Sequence, residues 1–379
     1  MDDQRQSACR GAAAALRHEA DRLGSLGALI GLDGFVDEII AVVERRHDLE
    51  RYDRVETIAR MAEKIAAAAG KSSNYELVVT RRKLGGNGPI MANALARLGM
   101  RVSYVGCLGH PTVDPVFADF AARAEVISIA DPGFTNALEF ADGKLMLSKL
   151  AAIHEVSWAS LTAAIPVPEL IRRFTECSLI GLLNWTELPG LTAIWDALIA
   201  EVFPHVPRGH RTLFIDLVDP EKRSATDIRG ALDTLTRFQE HVDVVLGLNL
   251  KEATQAAGAL GLDPPGADLA AAAARIRTTL GLAGVVVHPR EGAAAATAEG
   301  TASILGPFVA QPLISTGAGD HFNAGFCLGW VLKLPLGQCL AAGVATSGYY
   351  VRTAASPTPQ ELADFLHDLP APEAEAAGA

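Results

Sequence analysis

Seven short runs of branched apolar residues, separated by stretches of helical character, constrain this chain more than any other feature. They are GALIGLDG from Gly27, RVSYVGCLG from Arg101, AEVISIAD from Ala124, CSLIGLLNW from Cys177, RTLFIDLVD from Arg211, VDVVLGLN from Val242 and GVVVHP from Gly284. A strand with one wet face alternates apolar and polar residues, whereas a strand covered on both faces reads as a continuous apolar run. These runs therefore predict a mostly parallel sheet with helices on each side, the doubly wound α/β class. Helical segments over 87–98, 191–202, 226–240 and 268–280 supply the covers.

Two stretches break the rhythm. TNALEFADGKLMLSK puts Leu138 and Phe140 two apart, then Asp142-Gly143 as a turn, then Leu145 and Leu147 two apart, which predicts a half-exposed antiparallel hairpin. From Glu38 to Lys83 come a strand-like DEIIAVV, a charged helix near 55–69 and a strand-like YELVVTRRK. Grouped together, 34–83 and 133–150 form a small lid over the carboxyl ends of the main strands, within a single domain spanning 1–379. The tail 368–379, ending APEAEAAGA, is expected to be unstructured.

Composition removes several function classes. The formal charge is -11 with no dense Lys/Arg run, which argues against a nucleic-acid partner. No apolar stretch approaches the roughly 18–20 residues that span a bilayer, and the first residues carry no apolar signal core, so a cytoplasmic protein is expected. Five cysteines are scattered without a C-x-x-C pair, and the histidines lack ligand spacing.

STGAGDHFNAGF, Ser315 to Phe326, places a glycine turn directly before an apolar helical run. Unpaired amides at a helix start form an anion site, and Asp320 beside them suits a base that takes a proton from a hydroxyl attacking a phosphate. Read alone, the same residues also fit plain helix capping. The chain contains no P-loop.

This stretch resembles the D-T-x-G-A-G-D-x-F-x-A-G signature of the ribokinase/PfkB family of carbohydrate and nucleoside kinases. NLKE (Asn249 to Glu252) is similar to that family's N-x-x-E, LGGNGPIMANALARLG (Leu84 to Gly99) to its glycine-pair helix, and GLDGFVDE to its first-strand aspartate, offering Asp33 and Asp37. The resemblance implies a ribokinase-like three-layer αβα sandwich with a β-rich lid, and transfer of phosphate from ATP, or from ADP, to a primary hydroxyl of a sugar. It implies Asp320 as base, with the amides of Gly317, Ala318 and Gly319 as anion hole. It places Asn249 and Glu252 around Mg2+ and its waters, and Asn249, His288, Gly292 and Thr316 beside the nucleotide. Asp33 would accept two sugar hydroxyls, with Asp37, Gly85, Gly86 and Asn87 bordering the sugar. A homodimer through the lid edge is a further expectation.

The chain departs from that pattern at three places. Ile314 stands where the leading acid is usual, Ile90 where an asparagine touches the sugar, and His288 and Arg290 where a threonine and glycine approach the nucleotide. Asn184, Trp185 and Glu187 end a main strand near the acceptor, and an aromatic face there suits a sugar ring as well as it suits a core. A nucleoside kinase of the same fold and a catalytically idle sugar- or nucleotide-binding relative are the alternative readings.

Overall fold

In the computed structural model, which describes residues 2–374, all seven apolar runs are strands of one nine-stranded sheet. The strands of the chain are β1 (Gly27–Leu32), β2 (Phe35–Arg46), β3 (Tyr52–Arg54), β4 (Leu77–Gly85), β5 (Arg101–Gly106), β6 (Glu125–Ser128) and β7 (Gly133–Phe140). They continue with β8 (Gly143–Lys149), β9 (Leu179–Leu183), β10 (Thr212–Asp216), β11 (Asp243–Leu248), β12 (Gly284–Val287), β13 (Gly292–Thr297) and β14 (Thr301–Leu305). The large sheet is ordered β14-β13-β12-β11-β10-β9-β1-β5-β6. Every pairing from β12 to β6 is parallel, and β13 and β14 add an antiparallel edge.

The continuous apolar runs serve two cores at once. In β10, Leu213 and Ile215 enter one core and Phe214 the other, and β11 divides Val244 and Leu246 from Val245 in the same way. One core is closed by helices Val167–Glu176, Leu191–Ala197 and Ala225–Gln239. The other is closed by Asp2–Glu19, Asn87–Arg97, Ala318–Val331, Leu336–Thr353 and Pro359–His367. Each fully buried Val, Leu or Phe stabilises the sandwich by about 1.5–3 kcal/mol.

The residues outside the rhythm form a second, five-stranded sheet. β2 is its centre, antiparallel to β3 and β4 and parallel to β7, and β8 pairs antiparallel with β7. One face packs on helix Ile58–Ala67 through its own small core of Ile40, Val42, Val55, Met61, Leu138 and Phe140. The β7–β8 turn falls at Ala141-Asp142, one residue before the expected Asp142-Gly143, with Phe140 paired to Gly143. There the Asp142 carboxylate accepts the Ile58 amide at 2.8 Å and caps the helix.

The carboxyl-terminal stretch differs from expectation over 368–374. Pro370 O accepts a bond from Arg5 at 2.6 Å, the Glu373 amide donates to Phe308 O at 3.0 Å, and the Glu373 carboxylate accepts the Ala310 amide at 2.9 Å. The remainder of the expected unstructured tail, 375–379, lies outside the described residues. All five cysteines are free and buried, and no helix among the described residues is long and apolar enough to cross a membrane.

Candidate active site

Open parallel sheets bind ligands beyond the carboxyl ends of their strands, where the strand order reverses. β1 is that reversal point, and the polar residues gather there. Asp33 follows β1, Asn184 follows β9, Asp216 ends β10 and Asn249 follows β11. Asp33 is fully buried, and its two oxygens already receive three donors. The first amides of helix Asn87–Arg97, from Asn87 and Gly88, reach it at 2.9 Å and Asn184 Nδ2 at 2.8 Å, while the Tyr104 hydroxyl donates to its main-chain oxygen at 2.7 Å. A carboxylate offers about four lone-pair positions. With one such position left for a ligand, Asp33 also pins the helix start to β1, β5 and β9. Burial, offset by these bonds, raises its carboxyl to about 6.

Asp37 is the acid with capacity to spare. It lies on β2 opposite Lys83 of β4 and Thr135 of β7, with the Lys83 ammonium 3.8 Å from its carboxylate. Its carboxylate packs so closely over Gly85 that any Cβ there would fall 2.3 Å from Oδ1, which explains the glycine. Burial raises Asp37 above the ordinary carboxylate range, opposed by Lys83 and Thr135. Asn87, one turn away, directs its side chain to Asp320, with Nδ2 2.9 Å from Oδ1. Its side chain thus holds the candidate base Asp320. The other Asp320 oxygen has no partner among the described residues. Burial raises this carboxyl to about 7, Asn87 and Lys83 pulling it down and Asp33 and Glu252 pushing it up.

The glycine loop turns at Gly317, whose φ of 93° lies in the left-handed region that favours glycine, and helix Ala318–Val331 starts there. The amides of Gly317, Gly319 and Asp320 have no acceptor among the described residues, whereas Ala318 donates to Ser315 O at 3.2 Å in a tight turn. The free donors thus include Asp320 in place of Ala318. Behind the loop, Tyr350 Oη donates to Thr316 O at 2.9 Å and His321 Nδ1 to Gly317 O at 2.7 Å. The two rings stack at 3.6 Å, and Ser356 Oγ lies 2.8 Å from the other His321 nitrogen. Burial holds the imidazole neutral, down to about 4. Holding the Thr316 carbonyl backwards turns the Gly317 N–H forwards, so Tyr350→Phe, losing a bond of about 1 kcal/mol, should lower kcat/KM for the nucleotide about fivefold. Steady-state kinetics with an unchanged acceptor KM is the check. Ile90 is no sugar ligand: its side chain packs beneath Gly317, 3.2 Å from where a Cβ would sit.

On the other side of the loop lies a 390 Å³ cavity lined by Asn249, His288, Gly292, Phe308, Ser315 and Gly319 among others. His288 stacks on Phe322 at 4.6 Å, and its buried Nε2 has no partner. Burial lowers its imidazole to about 4. Thr316 does not line this cavity. The Thr316 hydroxyl instead receives Lys144 Nζ from β8. The same ammonium donates to Ser315 Oγ at 3.1 Å.

Asn249 and Glu252 form a reciprocal capping box at 2.9 and 2.8 Å, and the remaining Glu252 oxygen accepts the Asp219 amide at 2.9 Å. Sequence reasoning missed Asp216. Its carboxylate accepts Asn323 Nδ2 at 2.7 Å and the Val218 amide at 3.0 Å. Burial, with Glu252 and Asp320 close by, pushes it well above the ordinary range. A carboxylate at the end of a predicted main strand is the signal that pointed to it. Trp185 belongs to the core: it is buried, its Nε1 donates to Thr192 at 2.8 Å and Arg223 stacks on its ring at 4.7 Å.

Comparison with known proteins agrees with this layout. A family model for prokaryotic ketohexokinase matches residues 1–369. The chain is 30% identical over 347 residues to a ketohexokinase of Haloferax volcanii, covering 91% of this chain and 92% of that one. In fold it is similar to Arabidopsis thaliana ribokinase complexed with ribose and ATP (TM-score 0.61, 16% identity, covering 90% of this chain and 99% of that one). It is also similar to an adenosine kinase of Sinorhizobium meliloti (TM-score 0.61, 18% identity, 91% and 99%). The chain is a carbohydrate kinase of ribokinase fold and belongs to the prokaryotic ketohexokinase family.

Proposed function

We propose that this kinase transfers the terminal phosphate of ATP to a primary hydroxyl of a ketohexose. One observation carries the chemistry: a buried carboxylate with one unpartnered oxygen, Asp320, sits in the first turn of a helix beside unpaired amides. The acceptor lies between Asp37 and Asp320, where Asp37 accepts from its hydroxyls and Lys83 donates. Asp320 takes the proton of the attacking hydroxyl as the new O–P bond forms and the bond to the departing ADP breaks. The amides of Gly317, Gly319 and Asp320 stabilise the charge on the moving phosphoryl group, and Asn87 keeps the base aimed at the acceptor.

The five-stranded sheet acts as a lid, with Lys83 and Lys144 on the face it turns to the cleft. Its exposed Leu77, Val79, Met146 and Leu147 are where we place a homodimer contact.

Magnesium fits this site only through water. Both Glu252 oxygens hold backbone amides, and no group of three or more His, Cys, Asp or Glu side chains among the described residues could enclose an ion. The carboxylates of Asp216, Glu252 and Asp320 crowd one another, and Glu252 and Asn249 have lone pairs left for the waters of an ion carried in by the nucleotide. Such an ion would screen the phosphate charges.

The test is a donor and acceptor screen with magnesium and either ATP or ADP, over ketohexoses, aldohexoses, sugar phosphates, sugar acids and nucleosides. Expected is a kcat/KM for ketohexose with ATP about 10²-fold above that for any aldohexose or nucleoside. Preference for a nucleoside, or nucleotide binding without turnover of any acceptor, would overturn the reading.

A further inference from the structure

A second polar cavity, of 480 Å³, lies behind the glycine loop, walled on that side by Ile90, Ile314, His321 and Tyr350. Of the acceptor-site residues Lys83 lines it and Asp37, Asn87 and Asp320 do not, and it shares no residue with the cavity that holds His288. Its rim carries Arg81, Arg82 and Lys83 from β4, Arg97 from helix Asn87–Arg97 and Arg123 from the loop before β6, against the single carboxylate of Asp119. Such a concentration is out of place in a chain of net charge -11.

Three of these cations have carboxylate partners. Arg82 meets Glu38 at 3.3 Å and Asp114 at 3.8 Å, Lys83 meets Asp37 at 3.8 Å, and Arg97 meets Glu361 at 3.8 Å. The other two do not. Arg81 has no carboxylate within ion-pair distance among the described residues, and the Arg123 guanidinium bonds only the main-chain oxygen of Asp119, at 2.8 Å. One of these uncompensated cations belongs to the small sheet and the other to the body. Guanidinium groups around one cavity match the oxygens of a phosphate group, which they bind by paired, charge-assisted hydrogen bonds.

We propose that this cavity binds a phosphate monoester as an effector, which bridges Arg81 on β4 to Arg97 and Arg123 on the body and so holds the small sheet against the large one. The volume is sufficient for a sugar phosphate. Because opening of a lid frees the product, a ligand that clamps it shut lowers kcat while leaving the KM for ATP nearly unchanged. This inference does not depend on which sugar is the acceptor, because it is read by binding.

The experiment is isothermal titration of the full-length protein with inorganic phosphate, a ketohexose monophosphate and AMP in separate arms. Magnesium and a non-hydrolysable ATP analogue are kept saturating, so that the glycine loop is already filled. Expected is one site per chain that survives the analogue, is weakened at least about tenfold in the double variant Arg81→Ala, Arg123→Ala, and is largely restored by Arg81→Lys, Arg123→Lys. Both side chains are exposed, so the double variant should fold and keep kcat within about twofold in phosphate-free buffer. The arm with the tightest binding identifies the source as free phosphate, product or nucleotide. Equal binding by wild type and the alanine variant, or loss of all binding once the analogue is present, would refute the site.

Discussion

Asp320→Asn should lower kcat by about 10³-fold and leave ATP affinity within about twofold, because it removes proton acceptance without altering the amides that meet the phosphates. The wild-type pH profile gives an independent reading. A base must be ionised to act, and burial has lifted this carboxyl to about 7. Turnover should therefore climb about tenfold per pH unit below that value and level off above it, while the residual activity of the variant should lack this limb. The same shift has a thermodynamic sign. An acid whose folded pKa lies above its unfolded one binds protons more tightly when folded, so stability falls as pH rises from about 4 towards about 7. The variant should thus melt at a higher temperature than wild type at pH 8 and show no such gain at pH 4. Equal kcat in the two proteins would dismiss Asp320 as the base.

Lys144→Ala should lower kcat by about 10²-fold to 10³-fold, the range seen when a preorganised charge is removed from a developing oxyanion. Its ammonium sits on Ser315 and Thr316, where the donor-side cavity meets the glycine loop, and burial lowers its pKa by penalising the charged form. Partial burial reduces the screening of its attraction for phosphoryl oxygens. Lys144→Arg should restore part of the rate, since it keeps the charge but widens the head group. Lid closure also predicts that the acceptor protects β8 from hydrogen exchange in wild type and less so in Lys144→Ala. A kcat within threefold of wild type in the alanine variant would show that this lysine merely rests on the loop.

The parallel core was legible because its strands carry branched apolar residues on both faces, a pattern few other folds tolerate. β13 was not. Its GAAAAT lacks the β-branched residues that mark strands, and alanine is used there because helix Leu269–Leu280 packs closely over it. Asp320, Asn87 and Asp37 could be picked out as candidates because each lies in a short local motif. Lys144 and Tyr350 could not: they meet the glycine loop across 172 and 34 positions of chain, and no local spacing encodes such a meeting. The protein donors on Asp33 were hidden for a related reason. Sequence shows that an acid ends β1, but only the folded chain shows how many donors already claim it.

The small sheet has a hydrophobic core of its own, knotted at one end by the bond from Ile58 to Asp142, and it joins β1 through only Asp33 and Gly34. On the lid reading it would move as one lever carrying Asp37, Lys83 and Lys144 on one side. These three charges would then arrive and leave together, so one swing of the sheet would switch sugar recognition and phosphate stabilisation. Substitutions at Met61 or Val55, on the far side of the lever, would then alter how fast it swings without touching any reactant, giving evolution a control over turnover that leaves selectivity intact.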